Sequence, residues 1–312
     1  MALAMSMSMA AGWAAGAPAP KGATPDLQGV WTLGTYTPLE RPKDLTSLAL
    51  TPAEAEAYEA PRRALHGMPP SKADEPGQAE TEQAERGDGL ARVRGEIRSS
   101  WVVDPSDGQI PFTREARLRL GLDKPRVGRP MNNPEDAPAT DRCVGNLAGG
   151  VPMIGGPDAN LVELVQTSDA VAILTEKYHD VRIVSLKGRS PYAGVSPGPL
   201  GSSVGHWEGD ALVVETSGFP DRDFVRQFNL VVSGQTTVTE RFTRLGKSEL
   251  LYEFKVSDPS LYTRPWSGEM TLHPAKGRIY EYACHEGNYW MRSMLQAARL
   301  SETAPNTNHR KD

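Results

Sequence analysis

The chain has 312 residues, of which 38% are hydrophobic and 23% charged, and a formal net charge of −5. This length is enough to bury a core without help from a metal or a disulfide, and no run of Lys or Arg supplies the basic face that a nucleic-acid partner requires. The 30 glycines and 26 prolines favour many short strands and turns over a helical bundle, because both residues interrupt helices.

The first 16 residues carry no charged side chain and lead into small residues up to Ala17. This pattern is typical of a secretory signal peptide, so residues 1–17 predict export to the periplasm or the cell exterior. The basic start of such a signal is missing, which suggests that Met1 lies inside a longer signal. A disordered Ala-rich tail on a cytosolic protein is the alternative. No later segment approaches the ~20 apolar residues of a membrane span.

The two cysteines, Cys143 and Cys284, lie 141 positions apart. In an exported protein they predict one disulfide that closes a long loop. Two separate buried thiols are the alternative. A cysteine-based zinc site is not expected, because the sequence contains no C-x-x-C pair.

The N-terminal third predicts a strand over 26–33 and a helix that starts at the capping box formed by Thr51 and Glu54 and stops before Pro61. Residues 69–89 hold almost no large apolar side chain, which predicts a mobile loop. A short strand over 100–103 precedes a helix capped by Thr113 and closed by Gly121. We expect residues 39–140 to be largely irregular.

After Asp141, apolar and β-branched runs alternate with turn sequences. The predicted strands are residues 161–167, 170–178, 181–186, 203–207, 211–216, 236–244, 249–256, 262–272 and 278–284. Short connections between most of them predict an antiparallel meander that closes into a lipocalin-like barrel of about 8–10 strands. The fold class is therefore all-β, with one domain over 26–302, a closing helix over 288–300 and a disordered tail over 303–312.

Alternation within the strands assigns side chains to faces. In 249–256 one face is entirely apolar, and in 278–285 one face carries Tyr280, Tyr282 and Cys284. Most strands also carry a carboxylate: Glu163, Glu176, Glu215, Glu240, Glu253, Glu269 and Glu281. These acids either face solvent over an apolar core, or some line a polar lumen in which Glu–Arg pairs neutralise each other.

Three histidines lie beside or near acids at predicted strand ends: His179-Asp180, His206 close to Glu208, and His285-Glu286. If these ends meet at one mouth of the barrel, the histidines can serve acid–base chemistry. Structural hydrogen bonding at turns is the alternative. The predicted catalytic set is a base (His285 or His206, with His179 nearby), an acid or orienting partner (Glu281 or Asp180) and a cation for developing negative charge (Arg264 or Arg241).

Other familiar sites lack their motifs. The chain has no H-x-H or H-E-x-x-H pattern and no G-x-S-x-G elbow, so neither a metal nor a serine nucleophile is expected. Without G-x-G-x-x-G or a P-loop, no nucleotide cofactor is expected either. Aromatic side chains in the late strands are candidates for lining a ligand pocket, with plain core packing as the alternative: Trp207, Tyr252, Trp266, Tyr280 and Tyr282.

Several motifs resemble a family of secreted bacterial proteins of unassigned function. The most specific are Gly-His-Trp-Glu-Gly-Asp at 205–210 and Tyr-Glu-Tyr-Ala-Cys-His-Glu-Gly-Asn at 280–288. The resemblance implies no activity. Gly29-x-Trp31 is also similar to the first-strand signature of lipocalin-like barrels, although the long stretch over 39–140 departs from a compact lipocalin.

The sequence thus favours a cofactor-independent acid–base enzyme of the lyase, isomerase or hydratase type. Its substrate would be an apolar aromatic or terpenoid-like small molecule held in a barrel pocket, because ionisable groups inside apolar strands are costly unless they serve a purpose. A non-catalytic exported carrier of a hydrophobic small molecule is the first alternative. A structural interaction role, marked by an exposed apolar patch, is the second.

Overall fold

The computed structural model describes residues 24–66, 89–122, 131–137, 142–143, 150–155, 160–190, 192, 198–220, 224–225, 230–275, 277–286 and 288–303. The predicted signal peptide (1–17), nearly all of the predicted mobile loop (69–88) and nearly all of the predicted tail (304–312) lie outside these ranges. The helices are α1 (Pro52–His66), α2 (Arg114–Leu120) and α3 (Tyr289–Thr303), with 3-10 turns at Pro134–Asp136 and Lys177–His179. The strands are β1 (Gly29–Thr32), β2 (Ala49–Leu50), β3 (Arg92–Val93), β4 (Glu96–Arg98), β5 (Val102–Asp104), β6 (Leu161–Gln166), β7 (Ala170–Thr175), β8 (Val181–Ser185), β9 (Ser202–Glu208), β10 (Ala211–Ser217), β11 (Phe224–Val225), β12 (Val231–Val232), β13 (Thr237–Gly246), β14 (Glu249–Ser257) and β15 (Trp266–Pro274).

Nine strands form a closed barrel in the order β1-β6-β7-β8-β9-β10-β13-β14-β15, and β15 pairs back with β1. Closure removes the exposed edges that an open sheet would present. The predicted all-β barrel is therefore confirmed. One neighbouring pair differs from the antiparallel meander, because β8 and β9 are parallel, with Val184 opposite Ser203. Both strands therefore start at the same end of the barrel.

The predicted last strand, over 278–284, is wrong. The edge of β15 that does not face β14 already has neighbours. β5 pairs with the first residues of β15, and β1 pairs with its last residues, with Trp31 opposite Pro274. Residues 278–286 lie outside any ladder and end in a turn, in which the Glu286 N–H donates to the Ala283 carbonyl. The barrel closes through the pairing of β15 with the first strand, β1, and residues 278–284 take no part in it.

The apolar face predicted for β14 packs in the main core. Leu250, Tyr252, Phe254 and Val256 are all 0% exposed. Aromatic rings from neighbouring strands meet there, with centroids 5.0 Å apart for Phe242 and Tyr252 and 5.6 Å apart for Tyr252 and Phe254. These side chains fill the interior at this level and pack against one another.

A buried ion pair crosses the barrel interior. Arg182 on β8 and Glu240 on β13 have side chains that are 2% and 0% exposed, and both guanidinium NH groups donate to the carboxylate. The Tyr252 hydroxyl donates to Glu240 Oε1 at 2.7 Å and accepts the Met153 N–H at 2.8 Å. Burial alone would lower the pKa of Arg182, but the Glu240 carboxylate outweighs it and raises that pKa. The lumen interpretation of the strand carboxylates thus holds for Glu240.

The N-terminal third adds an outer layer. Strands β2, β4 and β3 form a small sheet that, with α1, encloses a second apolar cluster. The predicted capping box is confirmed, since the Thr51 N–H donates to the Glu54 carboxylate at 2.8 Å and the Glu54 N–H to Thr51 Oγ1 at 3.3 Å. The prediction that the helix ends before Pro61 is wrong, since the helix continues to His66. The proline removes one backbone hydrogen bond of the helix, and the helical hydrogen bonds resume beyond it.

Two further helix predictions are confirmed. Thr113 Oγ1 accepts the Ala116 N–H at the start of α2, and Gly121 closes it at φ 61°. The closing helix is α3, which extends three residues beyond the predicted end. None of the described helices is long and apolar enough to cross a membrane.

The predicted disulfide is also confirmed. Cys143 and Cys284 are bonded, with their Cα atoms 5.7 Å apart. The bond joins the turn at 142–143 to the segment that follows β15, and so encloses nearly the whole barrel in one covalent loop.

Candidate functional site: a cleft at one end of the barrel

A cleft of about 520 Å³ lies at the barrel end where β8 and β9 begin. Four pieces of chain line it: the turn that holds Cys143, the turn before β8, the stretch before β9 with Tyr192 and residues 198–201, and the segment after β15. We call this cavity the end cleft, residues 176–180 the His179 turn, and residues 278–286 the cleft segment.

The end cleft gathers part of the predicted catalytic set. Asp180 from the His179 turn lines it together with Glu281 and His285 from the cleft segment. The disulfide forms part of the same wall, as do the rings of three tyrosines: Tyr178, Tyr192 and Tyr282. A possible proton acceptor, two carboxylates and aromatic surface therefore share one cavity.

The cleft segment is held beside the His179 turn by hydrogen bonds to side chains. The Tyr280 N–H donates to the Glu176 carboxylate, and the Tyr282 N–H donates to Nδ1 of His179 at 3.1 Å. Two N–H groups of the cleft segment, two positions apart, thus donate to side chains of the same turn.

The His179 turn has an unusual backbone. Tyr178 and His179 have φ values of 66° and 50°, in the left-handed region that residues other than glycine rarely adopt. Such a conformation costs about 1–3 kcal/mol per residue and occurs often at functional sites. It turns the His179 ring toward the cleft segment, where Nδ1 meets the Tyr282 N–H.

Charge in this turn is partly buried. Lys177 is 6% exposed, and its Nζ lies 5.8 Å and 5.6 Å from the ring centroids of Tyr178 and Tyr282, within range of a cation–π interaction. Burial raises the pKa of Glu176, opposed by the Tyr280 N–H and the charge of His179. The second oxygen of Glu176, Oε2, is buried without a hydrogen-bond partner.

His206 and Arg241 belong to a different cavity. They line a groove of about 560 Å³ on the outer face of the barrel, which we call the sheet groove. There Glu208 bridges them, 3.1 Å from His206 Nε2 and 2.8 Å from an Arg241 NH group, and hydrogen bonds from both lower the pKa of Glu208. Gly201 lines the end cleft, and His206 follows it by five positions, about 16 Å along an extended strand.

His206 and His285 therefore line different cavities. Arg264 lies apart from both cavities, exposed and paired with Asp104 at 2.7 Å. Among the predicted ligand-binding aromatics, Tyr282 lines the end cleft, whereas Tyr252 and Trp266 are fully buried in the core. Trp207 is half-buried against that core, and Tyr280 is 62% exposed.

Sequence reasoning missed Tyr178, Tyr192 and Lys177 as neighbours of the site. Lys177 and Tyr178 fall within the stretch 170–178, which alternation predicted to be a strand, whereas β7 ends at Thr175. Tyrosine gives no sequence signal for a left-handed turn, because it rarely adopts one. Only the adjacent His179-Asp180 pair marked the position.

Two searches complete the description of the site. Within the described ranges, no three His, Cys, Asp or Glu residues cluster in a way that would hold a metal ion. Comparisons of the chain with protein-family models, with curated proteins and with solved structures found no match.

Proposed function

We propose that the end cleft is the site of acid–base chemistry on a small molecule, of the lyase, isomerase or hydratase type, without a nucleotide cofactor. The observation that supports it is the convergence of Asp180, Glu281 and His285 on one cavity. Imidazole and carboxylate groups are the side chains that most often move protons in enzymes. At about 520 Å³, the cleft falls within the range of small-molecule sites, roughly 300–1,000 Å³.

In this proposal His285 accepts a proton from the substrate, while Glu281 or Asp180 orients the imidazole or returns a proton to the product. The tyrosine rings along the wall hold an apolar, ring-containing substrate by packing against it. As in the sequence-based hypothesis the reaction takes place at a mouth of the barrel, but His206, Arg241 and Arg264 take no part in it.

The alternative of a carrier with an apolar lumen has less support. Tyr252 and Trp266, which it needs as lining of an open cavity, are 0% exposed and pack against Phe254, with ring centroids 5.6 Å away in each case. A hydrophobic ligand would have to displace a close-packed core.

The proposal also places the protein outside the cytoplasm, in the periplasm or secreted. Disulfides persist in oxidising compartments and are rare in the cytosol, and Cys143–Cys284 forms part of the cleft wall. Mass analysis of the protein isolated from its host cells, compartment by compartment, tests this placement through the mature N-terminus.

Solvent deuterium incorporation tests the chemistry directly. A panel of ring-containing compounds with acidic C–H bonds is incubated with the protein in D₂O and followed by proton NMR. Wild type is expected to exchange at least one compound, and His285→Ala to lose about 10²-fold or more of that rate. His273→Ala, an exposed histidine on β15, is the matched control and should exchange at the wild-type rate. Exchange that survives in His285→Ala would contradict the assignment.

A further inference from the structure

The cleft segment carries Glu281 and His285, so the groups that place this segment also place the proposed chemistry. Three anchors hold it at every second residue, two on the His179 turn and one on Cys143. Tyr280 donates its N–H to Glu176, Tyr282 donates to His179, and Cys284 is bonded to Cys143. Glu281 lies between the first two of these anchors, and His285 directly follows the third.

His179 differs from the other two anchors because its contact depends on its protonation state. Nδ1 accepts the Tyr282 N–H at 3.1 Å, and an imidazole nitrogen can accept only while it carries no proton. In the neutral ring that holds this bond, the hydrogen is on Nε2. A second proton would put an N–H on each nitrogen, and Nδ1 would then point a donor at a donor.

Charged groups from two chain segments surround His179. Glu176, Lys177 and Asp180 lie on its own turn, and Glu281 lies on the cleft segment next to Tyr282. The Glu176 and His179 charges interact, and Lys177 is over the ring of Tyr282. The contact between His179 and Tyr282 therefore lies in a small cluster of charged groups in which the two chain segments meet.

The backbone also indicates that the ring is placed for this contact. Both Tyr178 and His179 are left-handed, which side chains of this type adopt only where the surroundings enforce it. A turn that needed only to connect β7 with β8 would use residues that favour this conformation, such as glycine or asparagine.

We propose that His179 is a positioning residue, whose neutral imidazole docks the cleft segment and so brings Glu281 and His285 into the end cleft. This inference rests on the proposed function and deepens it, because the Nδ1 acceptor that holds the Tyr282 N–H also holds the segment that carries Glu281 and His285. His179 itself does not touch the substrate.

Amide hydrogen exchange tests the docking without any substrate. Exchange of the Tyr282 amide is measured at one pH in wild type and in variants of His179. Wild type should protect this amide about five- to tenfold better than a variant that lacks the acceptor, which is the contribution of one hydrogen bond of ordinary strength. Protection in β14 should be the same in all of these proteins.

Two variants separate positioning from mere structural damage. His179→Ala removes the acceptor, so Tyr282 should lose about five- to tenfold in protection. His179→Asn keeps an acceptor oxygen close to the place of Nδ1 and tolerates the left-handed backbone, so protection should be retained. His273→Ala is the control and should match wild type throughout.

The outcomes distinguish this inference from the proposed function. Protection at Tyr282 that is equal in wild type and His179→Ala would overturn the positioning role whatever the chemistry. If instead the docking behaves as described and His285→Ala still exchanges deuterium at the wild-type rate, the proposed chemistry fails and the docking stands. Loss of protection in His179→Asn equal to that in His179→Ala would also count against the inference.

Discussion

Strand β14 and the cleft segment show the same alternation in sequence but have different structures. In β14, residues 250–256 pair with β13 on one side and with β15 on the other. The cleft segment follows β15, where β1 and β5 already occupy the free side. Alternation therefore predicts an extended backbone, and the availability of neighbouring strands decides whether that backbone becomes part of a sheet.

The two regions also differ in what their inner faces bury. The inner face of β14 is wholly apolar and fully buried, and each such side chain stabilises the fold by about 1.5–3 kcal/mol. The corresponding face of the cleft segment starts with Arg278 and includes Tyr280, which is 62% exposed. Weak burial leaves this segment near solvent, where its acids and His285 can meet a ligand.

The largest expected difference between the regions concerns two glutamates. Glu240→Ala leaves Arg182 buried without its partner, so the free energy of unfolding should fall by about 3–5 kcal/mol. Glu281→Ala removes an exposed carboxylate from the cleft segment and should change it by no more than about 0.5 kcal/mol. Urea denaturation of both variants measures the difference. Similar losses in the two variants would show that the regions are not energetically distinct.

Replacing both members of the buried pair sharpens this result. In Arg182→Met with Glu240→Leu, no charge remains to be desolvated, so the free energy of unfolding should recover to the wild-type value or above. A double variant as unstable as Glu240→Ala would indicate that the pair contributes through its hydrogen bonds with Tyr252 and not through charge compensation.

The disulfide gives the next largest effect. Cys143→Ser with Cys284→Ser opens a loop of 141 residues, which should lower the free energy of unfolding by about 2–4 kcal/mol through the greater freedom of the unfolded chain. Denaturation without reductant measures the loss, and hydrogen exchange shows where it acts. We expect the cleft segment to lose protection before β14 does. Uniform loss across both would mean that the segment and the barrel open as one unit.

The barrel was predictable because the sequence patterns that define most of its strand pairs are local. Turn sequences and alternating apolar residues define hairpins such as β13–β14, and each hairpin leaves little choice of neighbour. Closure by β1 was not predictable, because it joins Trp31 to Pro274 and no local pattern records a contact so distant in sequence. The parallel β8–β9 pair was missed because the connection over 186–201 has no periodicity.

The site was predictable in part for the same reason. His285, Glu281 and Asp180 were identified as acids and histidines at the ends of extended runs, and the fold brings them to one cleft. His206 met the same criterion and lies elsewhere. Strand ends in a barrel alternate between its two mouths, so position at a strand end does not say which mouth a residue faces. That assignment requires the strand order.

A pair of tyrosines tests the comparison at single-atom scale. Tyr252→Phe removes a hydroxyl that satisfies both Glu240 Oε1 and the Met153 N–H, so two buried polar groups lose a partner and the free energy of unfolding should fall by about 1–3 kcal/mol. Tyr280→Phe, on the exposed side of the cleft segment, should change it by less than about 0.5 kcal/mol. Thermal and urea unfolding of the two variants measure both values. An equal effect would contradict the different burial of the two rings.

The smallest expected effect is the pH dependence of the free energy of unfolding that is due to Glu176, in the His179 turn beside the cleft segment. Burial raises the pKa of Glu176 in the folded protein, so the folded state holds this proton more tightly than the unfolded chain does. Between the unfolded pKa and the higher folded pKa, the folded state binds more protons, and the free energy of unfolding therefore falls as pH rises through that interval. Glu176→Gln stays neutral and keeps an oxygen for the Tyr280 N–H, so it should remove this fall and gain at most about 0.5 kcal/mol at neutral pH, because solvent screens a half-exposed group. Urea midpoints across the acidic range measure the slope, with Glu215→Gln on the exposed face of β10 as the control that keeps it. A Glu176→Gln variant with the wild-type slope would show that burial at this turn costs the carboxylate nothing, and that the cleft segment is as well solvated there as it is at Tyr280.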